Sequence, residues 1–389
     1  MTQLSRSWMA SAALCLVAAC SAVADGGEDD ESHGGVKEIG SAALGLTLTP
    51  TLTLTLTNDC QINPDETAFC AETAVAPVSG RQVFYRIGDN TGPGYDASIG
   101  RHAAVFLFQG TSLTGTDDAG GANGPGATWS KPVSKPGPAP EFRFQFGIWY
   151  QVATVVALVH AGYTVIQPAA RRMNGTYFWD TNRALLGRNR WSGSPDQALM
   201  NALIAQIQPG STTFGAIDID HVYATGISSG GYMSSRIANE YAAGIQTDGS
   251  VVSASQPFRA VAIQSGAYQA CAGDDFTFTG SIPDPRPNCI AATASQTLAP
   301  ISATHAPTFF LHDAQDKVVP VTTMMAYLQR LDDEFPGGNP AYTVDGVRET
   351  FLDTDDFSGN TQPTPHHEWD NHLTGASDNL ILQWFSIHR

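Results

Sequence analysis

Three stretches of this chain carry residues able to do chemistry together. The first is Gly226-Ile227-Ser228-Ser229-Gly230, a serine framed by glycines directly after the apolar run Val222-Tyr223-Ala224. A serine hydroxyl is a weak nucleophile until a base takes its proton and a carboxylate orients that base. The second stretch, Leu311-His312-Asp313-Ala314-Gln315-Asp316-Lys317-Val318-Val319-Pro320, offers Asp313 and Asp316 as that carboxylate. The third, Pro365-His366-His367-Glu368-Trp369-Asp370-Asn371-His372, offers His366, His367 and His372 as the base. Serine, then acid, then histidine is a chain order that acyl-transfer sites use.

Such residues need elements to position them. G-x-S-x-G marks a sharp turn from strand into helix, where a Cβ at either glycine would meet neighbouring backbone and the helix N-terminus favours developing negative charge. A strand ending near Gly226 and a helix over Met233 to Ala242 are therefore expected. Elsewhere the pattern alternates. Strands are expected at Gln82–Arg86, Ala103–Phe108, Tyr163–Pro168, Phe258–Gln264, Thr308–His312 and Arg348–Leu352. Helices are expected at Phe146–Ala161, Pro195–Ile207, Val319–Leu331 and Asn379–Ile387, and 169–195 reads as a long connection. The alternation, with continuous apolar strands such as Ala103–Phe108, predicts an α/β domain whose mostly parallel sheet is flanked by helices on both faces.

Composition narrows the function. With 389 residues and 42% hydrophobic content the chain has ample material for a core, and a net charge of −17 argues against nucleic acid or an anionic membrane as partner. The glycines of the loop from Gly115 to Pro140 lack the order of a phosphate-binding loop. His367-Glu368 followed by His372 is not a zinc helix: five residues turn a helix by about 500°, leaving the rings roughly 140° apart. The cysteines are too dispersed for a structural zinc. Neither a metal nor a cofactor is expected.

The N-terminus reads as an export signal, 1–24, with Arg6 before a short apolar run from Trp8 to Ala19. Val17-Ala18-Ala19-Cys20 resembles a lipobox that would lipidate Cys20, and Ala22-Val23-Ala24 an ordinary cleavage site after Ala24; the acidic stretch that follows suits a tether and favours Cys20. Residues 25–59, acidic and then Leu-Thr-rich, read as that tether, and 60–389 as one catalytic domain. In an oxidising compartment Cys60–Cys70 and Cys271–Cys289 are the simplest disulfides, the second bracketing an insertion.

Together, Gly226-Ile227-Ser228-Ser229-Gly230, the Asp316 loop and the late His367 resemble the secreted α/β-hydrolase esterases related to polyhydroxyalkanoate depolymerases. The GISSG elbow looks most like those acting on medium-chain-length polyesters. The resemblance implies an α/β-hydrolase fold from about Val83 onward and a Ser228–His367–Asp316 triad. Asp316 is preferred over Asp313 because it precedes the Lys-Val-Val-Pro step, and His367 over its neighbours because it alone has H-x-W spacing. It implies an oxyanion hole from the backbone N–H of Ser229 and that of Thr111, with Ser112 as alternative, in a loop where relatives carry His-Gly and this chain has Gln109-Gly110. Trp149, Trp179 and Trp369 would offer apolar surface to a hydrophobic polyester. The implied activity is ester hydrolysis of a polyhydroxyalkanoate-type polyester through an acyl-enzyme. Esterases acting on feruloyl or acetyl groups of plant polysaccharide, serine peptidases of the same fold, and a non-catalytic surface lipoprotein are the other readings. The Gln109 substitution, the 271–289 insertion and the N-terminal stalk depart from the pattern.

Overall fold

The computed structural model describes residues 60–63, 67–70, 74–110, 112–113, 133–134, 148–173, 176–179, 191, 193–244, 250–266, 301, 304–312, 324, 327–329, 331, 333, 335 and 380–389. All lie in the compact unit Asn58–Arg389. The signal and tether, the 271–289 insertion with its cysteines, and the expected strand Arg348–Leu352 fall outside the described residues, and the expected helix Val319–Leu331 falls only partly within them.

In chain order the first strands are β1 (Cys60–Ile62), β2 (Thr67–Cys70), β3 (Ala74–Val78), β4 (Arg81–Arg86), β5 (Tyr95–Asp96), β6 (Arg101–Phe108), β7 (Ser112–Leu113) and β8 (Val133–Ser134). Helix α1 (Ile148–His160) leads into β9 (Thr164–Pro168), β10 (Arg171–Met173) and β11 (Thr176–Phe178). Then come α2 (Pro195–Gln206), β12 (Ile217–Ile227), α3 (Ser229–Glu240), β13 (Phe258–Gln264), β14 (Thr308–Leu311) and the closing helix α4 (Leu380–Ile387).

The main sheet runs β14-β13-β12-β6-β9-β4-β3, with β5 paired to β6. Every neighbour pair from β14 to β9 is parallel, while β4 is antiparallel to both β9 and β3. Parallel pairs need crossovers, and α1, α2 and α3 lie in those from β6 to β9, β9 to β12 and β12 to β13. This is the arrangement of an α/β-hydrolase sheet. From β6 the chain steps to β9 on one side and then crosses to β12 on the other. That reversal opens a crevice at the carboxyl ends of β6 and β12, the usual place for a ligand in an open α/β sheet.

Period-2 alternation divides the core. Ala104, Phe106 and Phe108 join one cluster with Leu199, Leu203, Met233 and Ile237, so α2 and α3 cover that face. Ala103, Val105 and Leu107 join the other with Val152, Val156, Ile381 and Phe385, which places α1 and α4 on the opposite face. Apolar residues at every position from Ala103 to Phe108 are what a strand covered on both faces requires. The start of α2 follows from local chemistry: the Ser194 hydroxyl accepts from the Gln197 N–H at 2.9 Å, Pro195 opens the first turn, and buried Asp196 pairs with Arg81 of β4.

Two expectations need correction. Helix α3 begins at Ser229 rather than Met233, because Gly230 and Gly231 lie inside its first turn, held there by close backbone packing. The connection from 169 to 195 is also more structured than a loop. Within it β10 and β11 form an antiparallel pair, and β11 also pairs with β7. Away from the crevice, Cys60 and Cys70 face each other across β1 and β2 and are bonded as a disulfide. The His160 Nε2–H donates to the Cys60 carbonyl at 2.6 Å, tying that hairpin to the end of α1.

Candidate active site

The last residues of the parallel strands form one row. Gly226 pairs with Phe108, Ile227 with Gln264, and Gln264 with Leu311. The segments leaving that row are therefore neighbours: Gln109-Gly110, Ser228, Ser265-Gly266 and His312. Ser228 is the residue at which β12 becomes α3.

Its backbone has φ 55° and ψ −121°, a conformation that costs a non-glycine residue about 1–3 kcal/mol and persists only where surroundings impose it. Here they do. The Ser228 N–H donates to the Gln264 carbonyl at 3.0 Å, and the Ser228 carbonyl accepts from the Tyr232 N–H at 3.0 Å. A Cβ on Gly226 would approach the Phe108 carbonyl oxygen to 2.7 Å. A Cβ on Gly230 would approach the Gln109 carbonyl oxygen to 2.5 Å and would run into that of Phe108. The glycines thus let the elbow lie directly against the end of β6. A Cβ on Gly110 would stand 3.5 Å from the Ser228 Cβ, so the Gln109-Gly110 segment passes immediately beside the serine.

The electrostatics suit an oxyanion. Ser228 caps α3, whose first turn holds no acidic side chain and whose first N–H groups have no carbonyl within the helix. Because the Ser228 N–H is engaged by Gln264, the N–H of Ser229 is the nearest donor on this helix for charge developing beside the hydroxyl. Three side-chain oxygens around the elbow, Gln109 Oε1, Ser229 Oγ and Gln264 Oε1, are buried without a hydrogen-bond partner among the described residues.

Of the residues singled out from sequence, Ser228 and Ser229 come together with Gln109 and Gly110. Thr111, Asp313, Asp316, His366, His367, Trp369 and His372 lie outside the described residues. Strand β14, which precedes Asp316 in the sequence, lies two strands from β12, a lateral offset of about 10 Å. Trp149 belongs to the first turn of α1, and its side chain lies outside what is described. Trp179 is 4% exposed, packs edge-on against Phe108 at 5.2 Å between ring centres, and donates its indole N–H to the Gln109 carbonyl at 2.9 Å. Sequence reasoning missed Gln264, whose carbonyl accepts the Ser228 N–H and holds that residue in place. Its one signal is a polar residue directly after the apolar run Ala260–Ile263.

No protein-family model matches the chain. It is similar to the poly(3-hydroxyoctanoate) depolymerase of Pseudomonas fluorescens, 32% identical over 243 residues. That match spans 62% of this chain and 66% of the relative, just under two thirds of its length. Among solved structures, similarity extends to a thermostable esterase at 15% identity and TM-score 0.38, covering 78% of this chain and 58% of that one. It extends also to the acetyl xylan esterase of Aspergillus awamori at 14% identity and TM-score 0.36, covering 68% of this chain and 81% of that one.

Proposed function

We propose that the chain is an exported serine esterase that hydrolyses the ester bonds of an aliphatic polyester of the polyhydroxyalkanoate type. The observation that carries the ester chemistry is Ser228 at φ 55° on the N-terminus of α3, backed by Gln264 and flanked by Gln109-Gly110. A hydroxyl held in a costly conformation at a crevice, above helix N–H groups, suits a nucleophile. The similarity to the Pseudomonas fluorescens enzyme supports the polyester as substrate.

In this reading His367 takes the proton from Ser228 Oγ as that oxygen attacks the ester carbonyl. The tetrahedral oxyanion receives hydrogen bonds from the Ser229 N–H and the Thr111 N–H. Collapse expels the alcohol end of the polymer, protonated by His367, and leaves an acyl-enzyme. Water, deprotonated by His367, then releases the hydroxy acid and restores the serine. Asp316 fixes the imidazole tautomer and stabilises its charged form. Trp149 and Trp369 would contribute apolar surface to the polymer, and the Cys271–Cys289 bridge would close the insertion. Cys20 would carry a lipid that anchors the protein outside the cytoplasm. Radiolabelled palmitate incorporated by the wild type and lost in Cys20→Ala would support that anchor, and equal labelling of both would contradict it.

Product release from an aliphatic polyester latex, compared with release from feruloylated or acetylated xylan, tests the substrate. Soluble hydroxyalkanoates from the latex are expected. Hydrolysis confined to the xylan esters would replace the polyester by plant polysaccharide.

A further inference from the structure

The segment that passes beside Ser228 is fastened from one side by a single ribbon. At its near end the Trp179 indole N–H donates to the Gln109 carbonyl at 2.9 Å. At its far end β7 pairs with β11, Tyr177 opposite Ser112 and Thr176 opposite Leu113. Gln109 and the Ser112–Leu113 strand are thus both held by Thr176 to Trp179, a stretch in which β11 runs into the tryptophan without a break. Thr111, the residue read as the second oxyanion donor, lies between the two attachments in sequence.

The near attachment fixes a peptide plane. The Gln109 carbonyl faces Gly230 and Trp179, and the Gln109–Gly110 peptide is trans, so its N–H points the other way. Rotation of that plane would redirect the chain entering Thr111. The indole is well suited to prevent it: 4% exposed, wedged edge-on against Phe108, and with only two side-chain torsions to hold. A histidine before the glycine, the arrangement expected of relatives, is replaced here by Gln109, whose side-chain amide, among the described residues, donates to the Gly110 carbonyl at 3.4 Å. The sturdier hold on this segment comes from the Trp179 indole.

We propose that Trp179 is a positioning residue for catalysis: its indole N–H, acting on the Gln109 carbonyl, sets the oxyanion-binding segment beside Ser228. This rests on the esterase reading above. The role differs from the substrate contact implied by resemblance, because the ring acts through backbone. A misplacement of about 1 Å at such a site lowers turnover by about 10²-fold, and losing a donor outright by about 10²–10³.

The test uses the full chain with p-nitrophenyl octanoate. Trp179→Phe keeps an aromatic ring and removes the donor. Trp179→His returns a donor, since Nε2 of imidazole occupies the ring position of the indole N–H. Benzothienylalanine at 179 puts sulfur in place of the N–H at nearly constant volume, and so keeps the measurement meaningful should Trp179→Phe fail to fold. The expected result is a fall in kcat of about ten- to a hundredfold with KM within about twofold for the donor-less proteins. Affinity for a trifluoromethyl ketone should fall in parallel, and Trp179→His should recover part of kcat. Unchanged kcat in the benzothienylalanine protein, or a loss in Trp179→His as large as in Trp179→Phe, would overturn the proposal. A phosphonate ester separates the two levels. Normal labelling of Ser228 with kcat indifferent to the indole N–H removes the clamp alone, whereas absence of labelling in the wild type removes the esterase reading as well.

Discussion

The two ends of the central sheet are packed equally tightly and used differently. At the carboxyl end, Gly226 and Gly230 let α3 and β12 lie against the Phe108 and Gln109 carbonyls, and the residue between them in left-handed φ is a serine. At the amino end, Gly162 ends the turn after α1 at φ +87°, where a Cβ would run into the Thr91 carbonyl oxygen. There the glycine itself takes the positive φ, and its carbonyl accepts from His102 Nδ1–H at 2.8 Å. Burial lowers the pKa of that imidazole, and the bond to Gly162 opposes the shift. One end places strain on a side chain that the structure then holds at a crevice. The other gives the strained position to the residue that bears it at least cost. Close packing is common to both; Ser79, Ser228 and Ser265 all stand at positive φ, and of the three Ser228 is the one at which a strand turns into a helix N-terminus.

The sharpest way to break this contrast is to remove the hydroxyl. Ser228→Ala is expected to lower kcat/KM on p-nitrophenyl octanoate by about 10⁵-fold or more, with circular dichroism unchanged. Next come the glycines. Gly230→Ala and Gly162→Ala should each destabilise the fold by about 3 kcal/mol, because backbone on either side must shift. Gly230→Ala should also depress kcat per folded molecule, whereas Gly162→Ala should leave it within about twofold. Urea unfolding combined with active-site titration separates the two effects. Equal kcat losses would erase the distinction between the ends.

A smaller effect lies in pH. His305, before β14, is buried with its Nε2 2.5 Å from the Tyr327 hydroxyl, and burial pushes its imidazole from 6.5 down to about 4. The fold holds this ring neutral, while the unfolded chain takes up a proton below pH 6.5. Its contribution is therefore complete above that pH and is lost as pH falls from 6.5 towards 4. Between pH 7 and 4.5 the loss from this group is about 2–3 kcal/mol. Urea unfolding at both values should show that much less pH dependence in His305→Gln than in the wild type. The smallest expected effect is a gain. Ser228→Gly should be inactive yet more stable by about 1 kcal/mol, the relieved strain less the added freedom of the unfolded glycine.

The sheet was largely legible in the chain because its strands are apolar runs with sharp boundaries. Phe258–Gln264 was read with the bounds it has, and Ala103–Phe108 fell two residues short of β6. Ser228 was legible because a sharp strand-to-helix turn has few sequence solutions. The start of α3 was not. The helix expected over Met233 to Ala242 starts past Gly230 and Gly231, whereas contacts with β6 and β13 hold both glycines in its first turn. The ribbon of β7, β10 and β11 escaped notice for another reason. Strands of two or three residues are too short to show a period. A tryptophan in a polar connection also reads the same whether it faces substrate or grips a carbonyl, so the hold of Trp179 on Gln109 needed coordinates. Asp316 and His367 rest on chain order and resemblance.

The central claim, that Ser228 at the start of α3 is the nucleophile, is tested most directly by stoichiometric labelling with a phosphonate ester followed by peptide mass analysis. A single adduct on Ser228, formed in step with loss of ester hydrolysis and absent from Ser228→Ala, is the result predicted. Ester hydrolysis that survives complete labelling of Ser228, or that persists in Ser228→Ala, would contradict it.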